Sequence, residues 1–315
     1  MRIAFIVDPL DTLKPAKDSS IAMMRAAQAA GHAVWTIQAP LLFWDALHGV
    51  CADAVHLELL PDDDDWYTEL VSHTVPLREF AAVVMRKDPP FDLEYITATW
   101  LLERAEAEGA RVVNRPRALR DHSEKLAILE FAHLAAPTLV ARDAARLQAF
   151  IDREGDTILK PLDGMGGSQI FRVRADDPNR NVILETLTHE GQRTIMAQHY
   201  LPAISEGDKR ILLIGGEVVP YCLARIPKAG ETRGNLAAGG RGEARPLSAS
   251  DRAIAEELAP TLAARGLFLV GLDVIGDKLT EINVTSPTCM VEIAAQTGFD
   301  AAAMFIGALE KACRG

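Results

Sequence analysis

The sequence predicts an α/β fold that opens on a parallel sheet and passes into α+β modules. Three observations point there. Strand and helix signals alternate through the first third of the chain, glycine-punctuated strand pairs dominate the remainder, and 49% of the 315 residues are hydrophobic. A chain of that length and apolar content buries a sizeable core and divides into more than one domain.

Taken in order, Ile3 to Val7 reads as a strand, Ser20 to Ala30 as a helix stopped by Gly31, and Ala33 to Ile37 as a second strand. Ala81 to Met85 follows as a strand, Leu93 to Glu108 as a helix ended by Gly109, and Val112 to Val113 as a short strand. Such alternation marks a parallel α/β domain. Between them, residues 39–74 carry the acidic run Asp62 to Asp65, which reads as a solvated loop without chemistry. Pro116 to Arg120 reads as a linker, after which Ser123 caps a helix carrying Lys125. A small α+β module then extends to about Leu201. From Pro202 onward, hairpin strands, a helix over Ser250 to Arg265, an acidic hairpin and terminal helices form a last domain. The expected domains are therefore 1–122, 123–201 and 202–315.

The stretch Ile158 to Val173, ILKPLDGMGGSQIFRV, places Lys160 on a strand just ahead of a glycine-rich turn that leads into another strand. Glycines let main chain approach phosphate oxygens without a Cβ in the way, and consecutive N–H groups form a nest of partial positive charge. A Walker loop has its lysine after the glycines and opens a helix, whereas Lys160 precedes Gly164, Gly166 and Gly167. A dinucleotide fingerprint needs a third spaced glycine and a helix, and Ser168 to Ile170 is a poor helix start. The loop is expected to be a nucleotide-phosphate cover; the competing reading is an ordinary hairpin turn.

In Gly266 to Thr288, GLFLVGLDVIGDKLTEINVTSPT, carboxylates punctuate two apolar strands. Buried charges need a cation or a metal. Period-two alternation puts Glu281 and Asn283 on one face, and a turn at Gly276-Asp277 closes the hairpin with Asp273 on the preceding strand. Register decides the outcome: a three-residue loop over Gly276 to Lys278 sets Asp273 opposite Glu281, and a two-residue loop sends them to opposite faces. Two carboxylates and an amide oxygen suit a hard cation, magnesium before others. A solvated polar strand face is the alternative.

Several long stretches, in collinear order over about two-thirds of the chain, resemble the bacterial glutathione synthetase family of the ATP-grasp superfamily. They are MRKDPPFD (Met85 to Asp92), HSEK ending at Lys125, ILKPLDGMGG, EGDKRILLIGGEVVPYCLARIP (Glu206 to Pro227), GETRGNLAAGGRGE (Gly230 to Glu243) and GLDVIGDKLTEINVTSPTC (Gly271 to Cys289). The resemblance is weakest between about Ala39 and Thr74, and His122 stands where the family has another residue before Ser-Glu-Lys. It implies an ATP-grasp fold behind an N-terminal parallel-sheet domain, with ATP between the last two domains. It also implies ATP-dependent joining of γ-glutamylcysteine to glycine through an acyl phosphate, giving glutathione, ADP and phosphate.

Carried residue by residue, the resemblance puts Lys125, Lys160, Gly164, Gly166, Gly167, Gln198, Tyr200, Leu201 and Asp208 around ATP. It implies two magnesium ions, with manganese as a substitute, on Asp273, Glu281 and Asn283. Arg86, Asn283, Ser286, Pro287 and Thr288 fall on the substrate side. Arg210 and Arg225, on strands joined by the Gly215-Gly216 turn, are expected to stabilise charge on the acyl phosphate and the tetrahedral intermediate. The stretch Gly230 to Glu243, with five glycines and no helix or strand periodicity, reads as a lid over 226–242 from which Arg233 reaches the reacting groups. Surface arginines on a hairpin and, at Pro89-Pro90, a plain rigid turn are the bland counterparts.

A net charge of −11 argues against nucleic acid, so local arginines (Arg86, Arg210, Arg225, Arg233, Arg241) must overcome the global field to hold anionic substrates. No apolar run approaches the ~20 residues of a membrane span, and Met1 leads into a strand-like segment, so a cytoplasmic enzyme is expected. Cys51, Cys222, Cys289 and Cys313 lack metal spacing and are expected to be reduced thiols rather than nucleophiles. The family resemblance further implies a homotetramer. Two other readings compete: an ATP-grasp ligase with a D-alanine or other amino-acid acceptor, and a non-catalytic ATP-binding regulator. A binder has no use for the full set Asp273, Glu281, Asn283, Arg210 and Arg225.

Overall fold

The structure is a computed structural model that describes residues 1–231, 233, 234, 236 and 239–314. Three sheets organise the chain. The first is built from β1 (Arg2–Val7), α1 (Ser19–Ala29), β2 (Ala33–Asp45), β3 (Gly49–Leu59), β4 (Tyr67–Pro76), β5 (Ala82–Met85), α2 (Leu93–Ala107) and β6 (Val112–Val113). Its strand order is β4-β3-β2-β1-β5-β6. β1 pairs in parallel with β2 and β5, and β5 with β6, as the alternating pattern predicts. The sheet is mixed rather than purely parallel, because residues 39–74 add two long antiparallel strands and not only a loop. Alternation in that stretch is blurred because seven consecutive residues of β4 face solvent on both sides of the pleat. Asp62 to Asp65 do form an exposed turn, where Arg25 meets Asp63.

Local chemistry sets the helix starts. Asp18 Oδ1 accepts from the Ser20 and Ile21 N–H groups to open α1, and Asp92, the last residue of MRKDPPFD, accepts from Tyr95 N (2.9 Å) to open α2. The expected linker at Pro116 to Arg120 is instead α3 (Pro116–Asp121), with Pro116 at the first turn where its missing N–H costs nothing. Ser123 caps no helix: a 3₁₀ segment, Leu126–Phe131, follows Lys125 without a side-chain cap.

The second sheet contains β7 (Thr138–Ala141), α4 (Ala144–Glu154), β8 (Asp156–Pro161), β9 (Phe171–Arg174), α5 (Arg180–Thr188) and β10 (Ile195–His199), in strand order β7-β10-β8-β9. It has its own core, in which Leu147, Phe150 and Ile151 of α4 and Leu184 and Leu187 of α5 pack on Leu159, Val173, Ile195 and Ala197. The third sheet holds β11 (Asp208–Ile214), β12 (Glu217–Ile226), β13 (Arg241–Pro246), α6 (Ala249–Ala264), β14 (Leu269–Ile275) and β15 (Lys278–Asn283), in order β13-β12-β11-β14-β15, all antiparallel. α7 (Met290–Thr297) and α8 (Ala301–Arg314) close the chain, with α8 packed on α1. The end of the expected lid stretch is thus strand β13, paired with β12. No helix among the described residues is long and apolar enough to cross a membrane.

Candidate active site

A cavity of about 350 Å³ opens between the second and third sheets, the size class of small-molecule sites. β8 and β9 form the expected hairpin, and the glycine loop between them supplies Gly164, Gly166 and Gly167 to one wall. Gly166 and Gly167 have φ of 61° and 82°, a region in which a Cβ is strained. Lys125 Nζ donates to Gly164 O (2.6 Å) and Glu281 Oε1 (3.0 Å), tying the loop to the acidic hairpin. Lys160 Nζ donates to Thr280 O (3.3 Å). Burial lowers Lys160 to about 8 against the pull of Glu281.

That shift sets a pH dependence. An anion beside Lys160 restores its proton, so above about 8 nucleotide binding must take up a proton that the free protein has lost. ATP affinity is expected to be flat below that pH and to fall towards ~10-fold per unit above it. Isothermal titration at pH 7.5 and 9 in two buffers of different ionisation enthalpy checks it; equal affinity without proton uptake contradicts it.

β14 and β15 carry the acidic pair. Asp273 stands directly opposite Glu281, as the metal reading requires, but by another route than expected. The turn is the two-residue Gly276-Asp277, and an extra residue, Thr280, shifts the register between Leu279 and Glu281. Thr280 Oγ1 donates to Asp273 O (3.1 Å) and fixes that bulge. Asn283 Nδ2 donates to Gly271 O (3.2 Å), which leaves its Oδ1 for a ligand. This all-oxygen set fits a hard divalent cation by its chemistry. Among the described residues, no three His, Cys, Asp or Glu side chains gather into a metal-ligating group, so the set here is two carboxylates and one amide oxygen.

Arg210, on β11 opposite Asp273, binds it through two nitrogens, Nη2 to Oδ2 at 3.0 Å, and Arg225 Nη2 reaches the same oxygen at 2.9 Å. Arg225 also pairs with Asp208; Arg210, Arg225 and Asp273 are buried and Asp208 is partly so. Burial alone would raise Asp273, but the two guanidiniums outweigh it and hold the carboxyl well below the usual range. Burial raises Asp208 to about 6, opposed by Arg225. Asp208 Oδ1 has no partner although it is buried and its residue lines the cavity. Gly271 makes room for this cluster, since a Cβ there would stand 2.7 Å from Arg210 Cδ.

Gln198, Tyr200 and Leu201 line the far end, next to an apolar slot from Ala136, Ile158, Ile204 and Ile275. Gln198 Nε2 donates to Thr138 Oγ1 (3.0 Å) and Tyr200 N to Asp156 O (3.0 Å), while Arg172 stacks 3.6 Å over the Tyr200 ring. Ser286 and Thr288 line the opposite end, and Ser286 Oγ donates to Asp88. Arg86 and Pro287 do not line the cavity. Arg86 is buried behind it, donating to Ser20 Oγ (3.0 Å) and Pro287 O (3.0 Å), so two of its nitrogens are engaged with protein rather than presented to a substrate. Arg233 reaches the cavity and lies 3.4 Å from Gly167 O, joining the expected lid to the glycine loop. Gly234 packs so close that a Cβ would come within 2.3 Å of Arg225 O. Thr232, Asn235, Ala237 and Ala238 of the expected lid lie outside the described residues. Arg241 is exposed on β13 and pairs with Glu243.

The four cysteines are free, Cys51, Cys222 and Cys289 being buried. Cys289 lines the cavity, and burial pushes its thiol up, away from a nucleophilic thiolate. Sequence reasoning passed over Glu124 and the apolar slot. Glu124 stands half-buried in the cavity wall, its carboxyl raised by desolvation and by Glu281. The only signal was its place beside Lys125.

Residues 1–120 match the family model for the prokaryotic glutathione synthetase N-terminal domain, and residues 124–298 that for the prokaryotic glutathione synthetase ATP-grasp domain. A glutathione synthetase of Ralstonia nicotianae is 61% identical over 314 residues, covering 99% of this chain and 96% of that protein. One of Nitrosomonas europaea is 59% identical over 314 residues, covering 99% and 98%. Among solved structures, the D-cycloserine synthetase DcsG superposes with a TM-score of 0.69 at 16% identity, covering 99% of this chain and 100% of that one. The ATP-grasp ligase PsnB, complexed with minimal precursor, Mg and ADP, does so with 0.64 at 18%, covering 99% and 98%. At such identities the likeness is one of fold.

Proposed function

This chain belongs to the prokaryotic glutathione synthetase family, and on that premise we propose that the cavity between its second and third sheets joins γ-glutamylcysteine to glycine at the expense of ATP. The observation that carries the proposal is the convergence on one cavity of a glycine loop with two lysines, an all-oxygen acidic pair and two buried arginines.

A free carboxylate is a poor electrophile. In the first step an oxygen of the glycyl-accepting carboxylate attacks the γ-phosphorus of ATP, the bond to the bridging oxygen breaks, and ADP leaves. The acyl phosphate then takes the glycine amine at its carbonyl carbon; the tetrahedral intermediate expels phosphate and the amine loses a proton. Lys125, Lys160 and the N–H groups around Gly164, Gly166 and Gly167 hold the phosphates. Arg210 and Arg225, pre-aligned by Asp273 and Asp208, face the charge that develops on the acyl phosphate and oxyanion. Asp273, Glu281 and Asn283 would hold magnesium, which neutralises the phosphate charge when bound. The base enters the apolar slot beside Gln198, Tyr200 and Leu201, and the orphaned Asp208 Oδ1 supports a hydrogen bond from a ribose hydroxyl. Ser286 and Thr288 meet the dipeptide. Arg86 acts through Pro287, whose carbonyl it holds.

The domain division at 122 and 201 follows the three sheets and belongs to the same proposal. So do two magnesium ions with manganese as a substitute, countable by metal analysis of a nucleotide complex, and a homotetramer, readable from the molar mass in solution. The β4 edge, unpaired and with Leu70 and Val71 exposed, supports an oligomer.

Turnover tests the function. With Mg-ATP and γ-glutamylcysteine, ADP release should depend on glycine and the product should have the mass of glutathione; nucleotide binding without turnover would move the regulator reading forward. The lid makes a separate claim. Arg233→Ala is expected to raise ATP hydrolysed per glutathione formed, because water gains access to the acyl phosphate. An equal fall in hydrolysis and ligation counts against a lid.

A further inference from the structure

The segment Val284 to Thr288 leaves β15 and delivers Ser286 and Thr288 to the cavity, so its backbone needs partners other than a neighbouring strand. Glu124 supplies them. Its Oε1 accepts from Val284 N (2.9 Å), Thr285 N (3.0 Å) and Thr285 Oγ1 (2.8 Å), while its own backbone carbonyl accepts from Ile282 N (2.9 Å). The far end of the segment is held from the first sheet's side, by Asp88 on Ser286 and Arg86 on Pro287 O. A carboxylate drawn partly out of water beside the charge of Glu281 is costly, and packing alone would be served as well by an apolar side chain. What the carboxylate adds is direction: three donors converge on one oxygen and fix where residues 284–288 run.

We propose that Glu124 is a positioning residue for the acceptor, its carboxylate holding residues 284–288 so that Ser286 and Thr288 meet γ-glutamylcysteine. The inference rests on the ligase reading above. Nucleotide contacts are separable from this role, because the chain at Lys125 is tied to β15 through the Glu124 carbonyl, which accepts from Ile282 N, and Lys125 Nζ donates to Gly164 O; neither bond depends on the Glu124 side chain.

The test is steady-state kinetics of Glu124→Ala, Glu124→Gln and Thr285→Val, varying ATP and γ-glutamylcysteine in turn. Glu124→Ala is expected to raise KM for the dipeptide about 10-fold or more and to leave KM for ATP within about 2-fold. Glu124→Gln, whose amide oxygen still accepts, should recover most of that loss, and Thr285→Val, lacking one donor, should raise the dipeptide KM about 3-fold. Equal rises in both constants, or an unchanged dipeptide KM in all three variants, overturns the inference. If Glu124→Ala fails to fold, the other two decide by the same constants. Wild-type chain that makes no glutathione would instead sink the ligase reading.

Discussion

Asp273→Asn is expected to abolish ligation and to weaken the fold at once. The substitution keeps the shape of the side chain but removes the charge that compensates Arg210 and Arg225, both of them buried. Breaking a buried ion pair by removing one partner costs about 3–5 kcal/mol, because the surviving charge stays uncompensated. Melting should therefore fall by roughly 5–10 °C. Activity should drop by on the order of 10³-fold, since both guanidiniums lose their alignment and the acidic pair loses one of its two carboxylates. Thermal denaturation and glutathione formation measured on the same preparation check both halves. Asp277→Asn, in the exposed turn of the same hairpin, should change neither. Activity of Asp273→Asn within a few-fold of the parent would contradict the assignment.

Arg210→Lys separates geometry from charge. The guanidinium uses Nε and Nη2 together on Asp273, a two-point grip that a single ammonium does not reproduce. Charge in the cluster is conserved, so the stability loss should stay below that of Asp273→Asn. The loss of kcat should still reach about 10²–10³-fold, the usual magnitude for removing one donor aimed at a developing oxyanion. KM for ATP should move little, because the phosphate lysines sit on other elements. A rise in that KM with kcat intact would place Arg210 on the nucleotide instead.

How far the sequence was legible varies with the length scale of the interaction. β1, α1, β5, α2 and β6 were read nearly to their ends, because caps, glycines and apolar runs act within a few residues. The hairpins around Gly164 to Gly167 and Gly276-Asp277 were legible for the same reason. The bulge at Thr280 was not, since it depends on which residue of the partner strand is opposed and no local preference encodes that. β4 escaped because an exposed edge strand carries little alternation, and α3 because Pro116 and three arginines look alike in a linker and in a first helical turn. In the site, Arg210 and Arg225 were legible as inward-facing cations, but the four-membered charge cluster they form with Asp208 and Asp273 exists only once β11 lies between β12 and β14. Arg86 was legible as a cation after a buried strand, but its partners Ser20 and Pro287, 66 and 201 residues away, were not.

The most direct test of the central claim is to follow carboxylate oxygen. With γ-glutamylcysteine carrying ¹⁸O in its glycyl-accepting carboxylate, each glutathione formed should release phosphate containing one ¹⁸O, transferred when the carboxylate oxygen bonds to the γ-phosphorus. Glutathione accompanied by phosphate free of ¹⁸O would contradict the acyl-phosphate route, and with it the roles given to Arg210, Arg225 and the lid.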